Sequence, residues 1–134
     1  MTGTLAYQTD LKPEPAEVRR ARHAVREHLA RWGLTALTDT AALLVSELVT
    51  NLVRHAQAPG WLRVAYVDGV LRIEVFDPGS HTPQPQDADL DDEAGRGLAI
   101  VTELAAEFGW EPRDGGKVVY AELHHTPDPT DVPA

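Results

Sequence analysis

The sequence has no cysteine and one methionine among its 134 residues. Without cysteine there is neither a disulfide framework nor a thiolate zinc site. Basic residues are few. Twelve Lys and Arg stand against 21 Asp and Glu, a formal net charge of -9, which speaks against a nucleic-acid partner bound through a basic face. A single phosphate ligand held by backbone amides and a metal ion stays compatible with that charge. No run of 18 apolar residues occurs, so no membrane span is expected. MTGTLAYQTD lacks a basic stretch followed by an apolar core, so no signal peptide is expected and a cytoplasmic location is the default. What is present is ordinary for a folded domain: 43% hydrophobic and 25% charged residues are too apolar a mixture for disorder. The length suits one domain with one core.

The chain divides into a strand-like start at 1–9, a main domain at 10–124 and a polar, proline-rich tail at 125–134. Thr4 to Thr9 alternates weakly, as an edge strand does. A helix is expected to open near Pro15, with Val18, Ala21, Val25, Leu29 and Trp32 on one face and Gly33 at its end. A second helix, with Thr38 or Asp39 as its N-cap, runs to about Ala56. WLRVAYV and LRIEVFD alternate around Asp68-Gly69, a hairpin signal. From Pro78 to Glu93 the composition turns to Pro, Gln, Asp and His without periodicity. A loop of roughly 16 residues is long enough to suggest a lid. GRGLAIVTELAAEFG predicts a third helix, and WEPRDGGKVVYAEL predicts two strands around an Asp-Gly-Gly turn. Together these elements predict an α+β fold: a two-layer α/β sandwich with helices on one face of a mixed, mostly antiparallel sheet.

Glu47, Asn51 and His55 recur every four residues in SELVTNLVRHA, inside the apolar second helix. At about 100° per residue they form a stripe, with Asn51 ~40° and His55 ~80° from Glu47. The stripe lies between an apolar arc (Ala41, Leu44, Val45, Leu48, Val49, Leu52, Val53 and Ala56) and a solvent side expected to hold Ser46, Thr50, Arg54 and Gln57. Taken one at a time, such residues are usually a solvated helix edge. Asn51 shifts the balance, because asparagine is a mediocre helix former whose amide must be satisfied beside leucines. Its oxygen is a hard-cation ligand. A carboxylate one turn earlier can act as a base, and an imidazole one turn later can donate to an anion.

Two further motifs follow. FDPGS ends a strand, where Asp77 can accept from an exocyclic amine and Gly79 lets a flat ring approach; a plain Asp-Pro-Gly turn is the simpler account. GRGL, residues 95–98, opens a helix whose amides can bind phosphate; a flexible cap is the simpler account. In order and spacing the three motifs resemble the N box and the two glycine boxes of the GHKL ATPase superfamily, which includes gyrase, histidine kinases and MutL. Within that superfamily the chain looks most like small actinobacterial ATP-binding proteins related to anti-sigma-factor serine/threonine kinases. GGKVVYAEL is also similar to their last strand. The resemblance covers about residues 10–124.

The resemblance implies the Bergerat fold, with ATP and Mg2+ as cofactors. Asn51 would be the metal ligand and Glu47 the catalytic group that orients or deprotonates the attacking hydroxyl or water. His55 would touch a phosphate, Asp77 would accept from the adenine amine and Gly79 would border the base. Gly95, Arg96, Gly97 and Leu98 would cradle the phosphates. The implied activity is a serine/threonine kinase that phosphorylates a small anti-sigma-factor antagonist. The alternative is a non-catalytic, nucleotide-responsive module that sequesters a sigma factor or another regulator. Expected partners are therefore an antagonist protein, a sigma factor or both, with a homodimer left open; no direct nucleic-acid or membrane partner is expected.

The chain departs from the family pattern at Leu52, where many relatives have alanine, and at Ser80-His81, where a second glycine is missing. At Val118 many relatives carry threonine, so one polar contact is expected to be lost there. Five carboxylates between Asp87 and Glu93 adjoin the proposed phosphate cradle, with His55, Arg96 and Lys117 as candidate counter-charges. Competing motifs fail. DADLDD lacks the glycine and glutamate of a calcium loop, and GGKV is not a Walker A loop.

Overall fold

The structure, a computed structural model, describes residues 4–56, 58–79 and 104–125. The expected lid at 80–93, the glycine motif at 95–98 and most of the predicted third helix lie outside the described residues, as does the tail from 126 on. The order of elements is β1 (Leu5–Leu11), α1 (Ala16–Arg31), a 3-10 turn (Thr35–Leu37), α2 (Thr38–His55), β2 (Gly60–Val67), β3 (Val70–Asp77), β4 (Glu107–Arg113) and β5 (Gly116–His124). The strands form one sheet in the order β1-β2-β3-β5-β4. All four pairings among the described residues are antiparallel, so the described sheet is not mixed. The fold class is α+β, with α2 packed on β3 and β5 and α1 packed on α2.

Local chemistry explains the joints. Gly33, at φ 75°, closes α1: its N–H donates to Ala30 O, and Leu34 N–H reaches back to Leu29 O. That pair of bonds ends a helix with a left-handed glycine, and here Leu29 and Leu34 both enter the core beneath it. The β2–β3 and β4–β5 turns place Asp68-Gly69 and Asp114-Gly115 at positive φ. Both fit the tight hairpins whose backbone twist matches the strands.

Four details depart from the sequence reading. The N-cap of α2 is Leu37, without a side-chain cap bond. The 3-10 turn feeds straight into the helix, so Thr38 is already helical. Asp39 instead pairs with Arg26 at 2.9 Å, tying the start of α2 to α1. Ser46 is buried rather than solvated, with Oγ donating to Ala42 O at 2.8 Å. Because α2 packs on both the sheet and α1, its buried arc is wider than that of a helix lying on one surface. The predicted third helix does not reach Gly109, since Glu107, Phe108 and Gly109 pair with Glu122, Ala121 and Tyr120 as the start of β4. Helix and strand patterns are ambiguous over such a short apolar stretch, and the ladder to β5 decides. Finally, His124 closes β5 and His125 N–H donates to Gly69 O, so the sheet claims both histidines of the expected tail boundary.

The core lies between the sheet and the helices. Leu62 and Val64 of β2, Leu71, Ile73 and Val75 of β3, and Val119, Ala121 and Leu123 of β5 face Ala41, Leu44, Val45, Leu48, Val49 and Leu52 of α2. With its 3-10 lead-in, the segment Thr35–His55 is long and apolar enough by composition to cross a membrane. More than half of that stretch is buried within the domain, as in the central helix of a globular core.

Candidate functional site

Along α2 the three polar residues of the row end up in different surroundings. Asn51 is 3% exposed, Glu47 is half-buried and His55 is exposed. Burial does not change steadily along the row, so the drift of about 40° every four residues does not by itself account for it; His55 is the last residue of the helix. Asn51 Oδ1 is buried and has no hydrogen-bond partner among the described residues. Buried polar atoms are nearly always paired, and a native orphan calls for a reason.

The second orphan lies at the end of β3. Asp77 is 1% exposed. Its Oδ1 accepts the Gly79 N–H at 2.7 Å, closing an Asx turn across Pro78. Among the described residues its Oδ2 accepts no hydrogen bond, although Lys117 Nζ lies 3.4 Å away in an ionic contact. The turn therefore satisfies one carboxylate oxygen and leaves the other available to a donor.

Glycines hold this corner tightly. A Cβ on Gly79 would sit 3.0 Å from Asp77 Oδ1 and 3.1 Å from Ala56 Cα, so the Asp77 turn packs directly on the last turn of α2. A Cβ on Gly116 would sit 2.5 Å from Asp77 O and 2.8 Å from Pro78 Cα. A Cβ on Gly60 would sit 2.1 Å from Phe76 O. Backbone cannot yield at such distances, so the end of β3 is fixed from three directions. The helix bearing Glu47 and Asn51 and the strand bearing Asp77 thus meet at one corner of the domain. Gly95, Arg96, Gly97 and Leu98 lie outside the described residues.

The strand register places two residues of β5 that the sequence reading singled out. Lys117 pairs in register with Asp77 and faces the helices, as do Val119 and Ala121. It is 4% exposed, and its Nζ donates to Gly79 O at 3.0 Å. Its charge is thus engaged at the Asp77 turn, whereas the sequence suggested a counter-charge for phosphates. Val118 alternates to the opposite face, beside Phe76 and Glu111. A threonine there would not face Asp77. The hint available in the sequence was a lysine among apolar β5 residues, but its meaning depended on the strand register.

No group of three or more His, Cys, Asp or Glu side chains that could cage a metal occurs among the described residues. The one metal ligand that the sequence suggested is the amide oxygen of Asn51. Magnesium bound alongside a polyphosphate keeps most of its waters and needs only one or two protein ligands.

A buried carboxylate turn at a strand end, a buried asparagine oxygen on the adjoining helix and a glutamate one turn before it make up the candidate site on this α+β sandwich. A family profile for the histidine kinase-like ATPase domain matches residues 11–123. The chain belongs to that family, within the GHKL superfamily. Among solved structures, it is similar to the RsbU and RsbW domains of Rv1364c from Mycobacterium tuberculosis. The identity is 21% and the TM-score 0.68, over 90% of this chain and 32% of that one. It is also similar to the histidine kinase domain of the blue-light activated histidine kinase EL346 from Erythrobacter litoralis. There the identity is 23% and the TM-score 0.54, over 83% of this chain and 60% of that one. At these identities the likeness concerns the fold. This chain spans about a third of the first chain and less than two thirds of the second. No curated protein matches the chain.

Proposed function

We propose that this protein is an ATP-binding regulator of the serine/threonine-kinase type that transfers phosphate to a small anti-sigma-factor antagonist in the cytoplasm. The observation that carries the nucleotide part is the Asp77 corner. One carboxylate oxygen is spent on the Gly79 amide and the other, buried, accepts no hydrogen bond. An exocyclic amine is the donor that such an acceptor suits, and Gly79, whose bare Cα lets the turn pack on Ala56, would border the base in this reading. Asn51 Oδ1 fits a magnesium ion shared with the phosphates, which would supply charge neutralisation there. Glu47, one helical turn earlier and only half-buried, is placed to take the proton of an attacking serine hydroxyl. His55, exposed at the end of the row, is placed to donate to a phosphate. Gly95 to Leu98 complete the site as the phosphate cradle in this reading. The choice of a protein substrate rests on the sequence resemblance to anti-sigma-factor kinases.

The second reading is a module that binds a sigma factor or another regulator, alone or as a homodimer, and uses nucleotide only to set its conformation. Phosphotransfer from labelled ATP to co-encoded antagonist candidates separates the two. Transfer that disappears in Glu47→Ala supports the kinase. Transfer that survives this substitution removes Glu47 from the chemistry, and no transfer to any candidate favours the module. Magnesium dependence is tested by calorimetry with ATP in the presence and absence of the ion, with tighter binding expected when it is present.

A further inference from the structure

Lys117 is a buried cation that the proposed chemistry does not use. Its side chain is 5% exposed and that of Asp77 is 1% exposed. The register pairs the two residues directly across β3 and β5. Nζ carries three protons. One goes to Gly79 O at 3.0 Å, and the ammonium lies 3.4 Å from Asp77 Oδ2, the oxygen that accepts no hydrogen bond. Lys117 thus grips both ends of the Asp77-Pro78-Gly79 turn, the carboxylate by charge and the Gly79 carbonyl by hydrogen bond. The Gly79 amide in turn holds Oδ1. With Gly116 packed against the backbone carbonyl of Asp77 and Pro78 Cα, the backbone of this turn is held from the β5 side as well.

We propose that Lys117 is the positioning residue for base recognition. By holding the Asp77 carboxylate and the Gly79 carbonyl in one arrangement, it aims Oδ2 at the exocyclic amine of the base, so selectivity for an amine-bearing purine depends on it. This rests on the ATP-binding reading of the site. A contact of 3.4 Å without hydrogen-bond geometry leaves Oδ2 able to accept from a ligand while its charge stays compensated. Removing the ammonium leaves a buried carboxylate without its partner. That carboxylate then turns towards whatever donor or water it can reach, and its aim is lost.

The test compares ATP with purine riboside triphosphate, which lacks the exocyclic amine, by calorimetry on wild type, Lys117→Met and Lys117→Gln. Methionine keeps length without charge, and glutamine keeps a donor for Gly79 O without charge. Wild type should prefer ATP by about tenfold or more, the size of a hydrogen bond to a charged acceptor. Both variants should lose that preference, through weaker ATP binding and an unchanged affinity for the analogue. A purely structural lysine would weaken both nucleotides alike, and that result overturns the proposal, as does a variant that keeps the wild-type preference. Wild type that binds neither nucleotide, or binds both equally, overturns the ATP reading itself. Should neither variant fold, the lysine ammonium resonance of Lys117 in wild type decides. A shift with ATP and none with the analogue supports the proposal, while equal shifts or none overturn it.

Discussion

The two faces of the sheet both carry polar groups, but those groups are left in different states. On the face that no described helix covers, Arg72 pairs with Glu74 at 2.8 Å and Glu122 at 2.9 Å, and its guanidinium lies 3.9 Å from the centre of the Tyr120 ring. Trp61 and Phe76 stack beside this network. Glu74 is 6% exposed, yet its carboxylate is matched by arginine. On the helix-covered face, Asp77 and Asn51 each keep a buried oxygen without a hydrogen bond. A complete network rigidifies a sheet, whereas an incomplete one next to a glycine-lined corner is built around something else. Unfinished hydrogen bonding, rather than burial of charge, is thus what singles out the helix-covered face as the candidate site.

The largest effect expected from breaking this contrast is on chemistry. Glu47→Ala should lower phosphotransfer by about 10²–10⁴-fold, the range for loss of a general base, while ATP binding in calorimetry stays near wild type. Next, Asp77→Asn should cost ATP about 1.5–3 kcal/mol, the worth of a hydrogen bond to a charged group. The ATP-induced rise in Tm should shrink accordingly. Equal heats of binding for Asp77→Asn and wild type would sink the base site.

Arg72→Met should behave in the opposite way. Glu122 loses this partner and Glu74 keeps only the 4.0 Å contact with Arg63, but Arg72 is partly exposed and solvent screens the pairs, so about 1–2 kcal/mol of stability is expected to go. The increment in Tm on adding ATP should be unchanged. A variant that loses the increment along with stability would show that the two faces are coupled after all.

The smallest effect concerns pH. The Arg20 hydrogen bond to Glu17 lowers the pKa of that carboxyl below its ordinary range; burial opposes the shift, and the Lys12 amide adds to it. The unfolded chain therefore takes up this proton more readily than the folded one. Glu17 contributes its full stabilisation above the unfolded pKa of about 4.3 and loses it as pH falls through the lower folded value. Chemical denaturation between pH 6 and pH 3 (about the carboxylate range) should show a shallower acid decline in Arg20→Ala than in wild type. An identical decline would remove the pair from the acid limb.

Much of this was readable in the chain. The 3.6-residue spacing of Val18, Ala21, Val25 and Leu29 and the alternation of Leu71, Ile73 and Val75 gave the buried faces, because periodicity maps directly onto which side of an element meets the core. Asp68-Gly69 gave its hairpin, because only a few residues tolerate left-handed φ. Glu47, Asn51 and Asp77 were legible as candidates because polar residues stood where apolar ones were due. Tertiary structure alone decided the rest. That Ser46 is buried depends on α1 lying over α2. That Glu107 to Gly109 is strand depends on pairing with β5. That Lys117 meets Asp77 while Val118 turns away depends on a register between strands some 40 residues apart. Local preference acts within a few residues, whereas which groups face one another across a sheet is fixed by the packing of the whole domain.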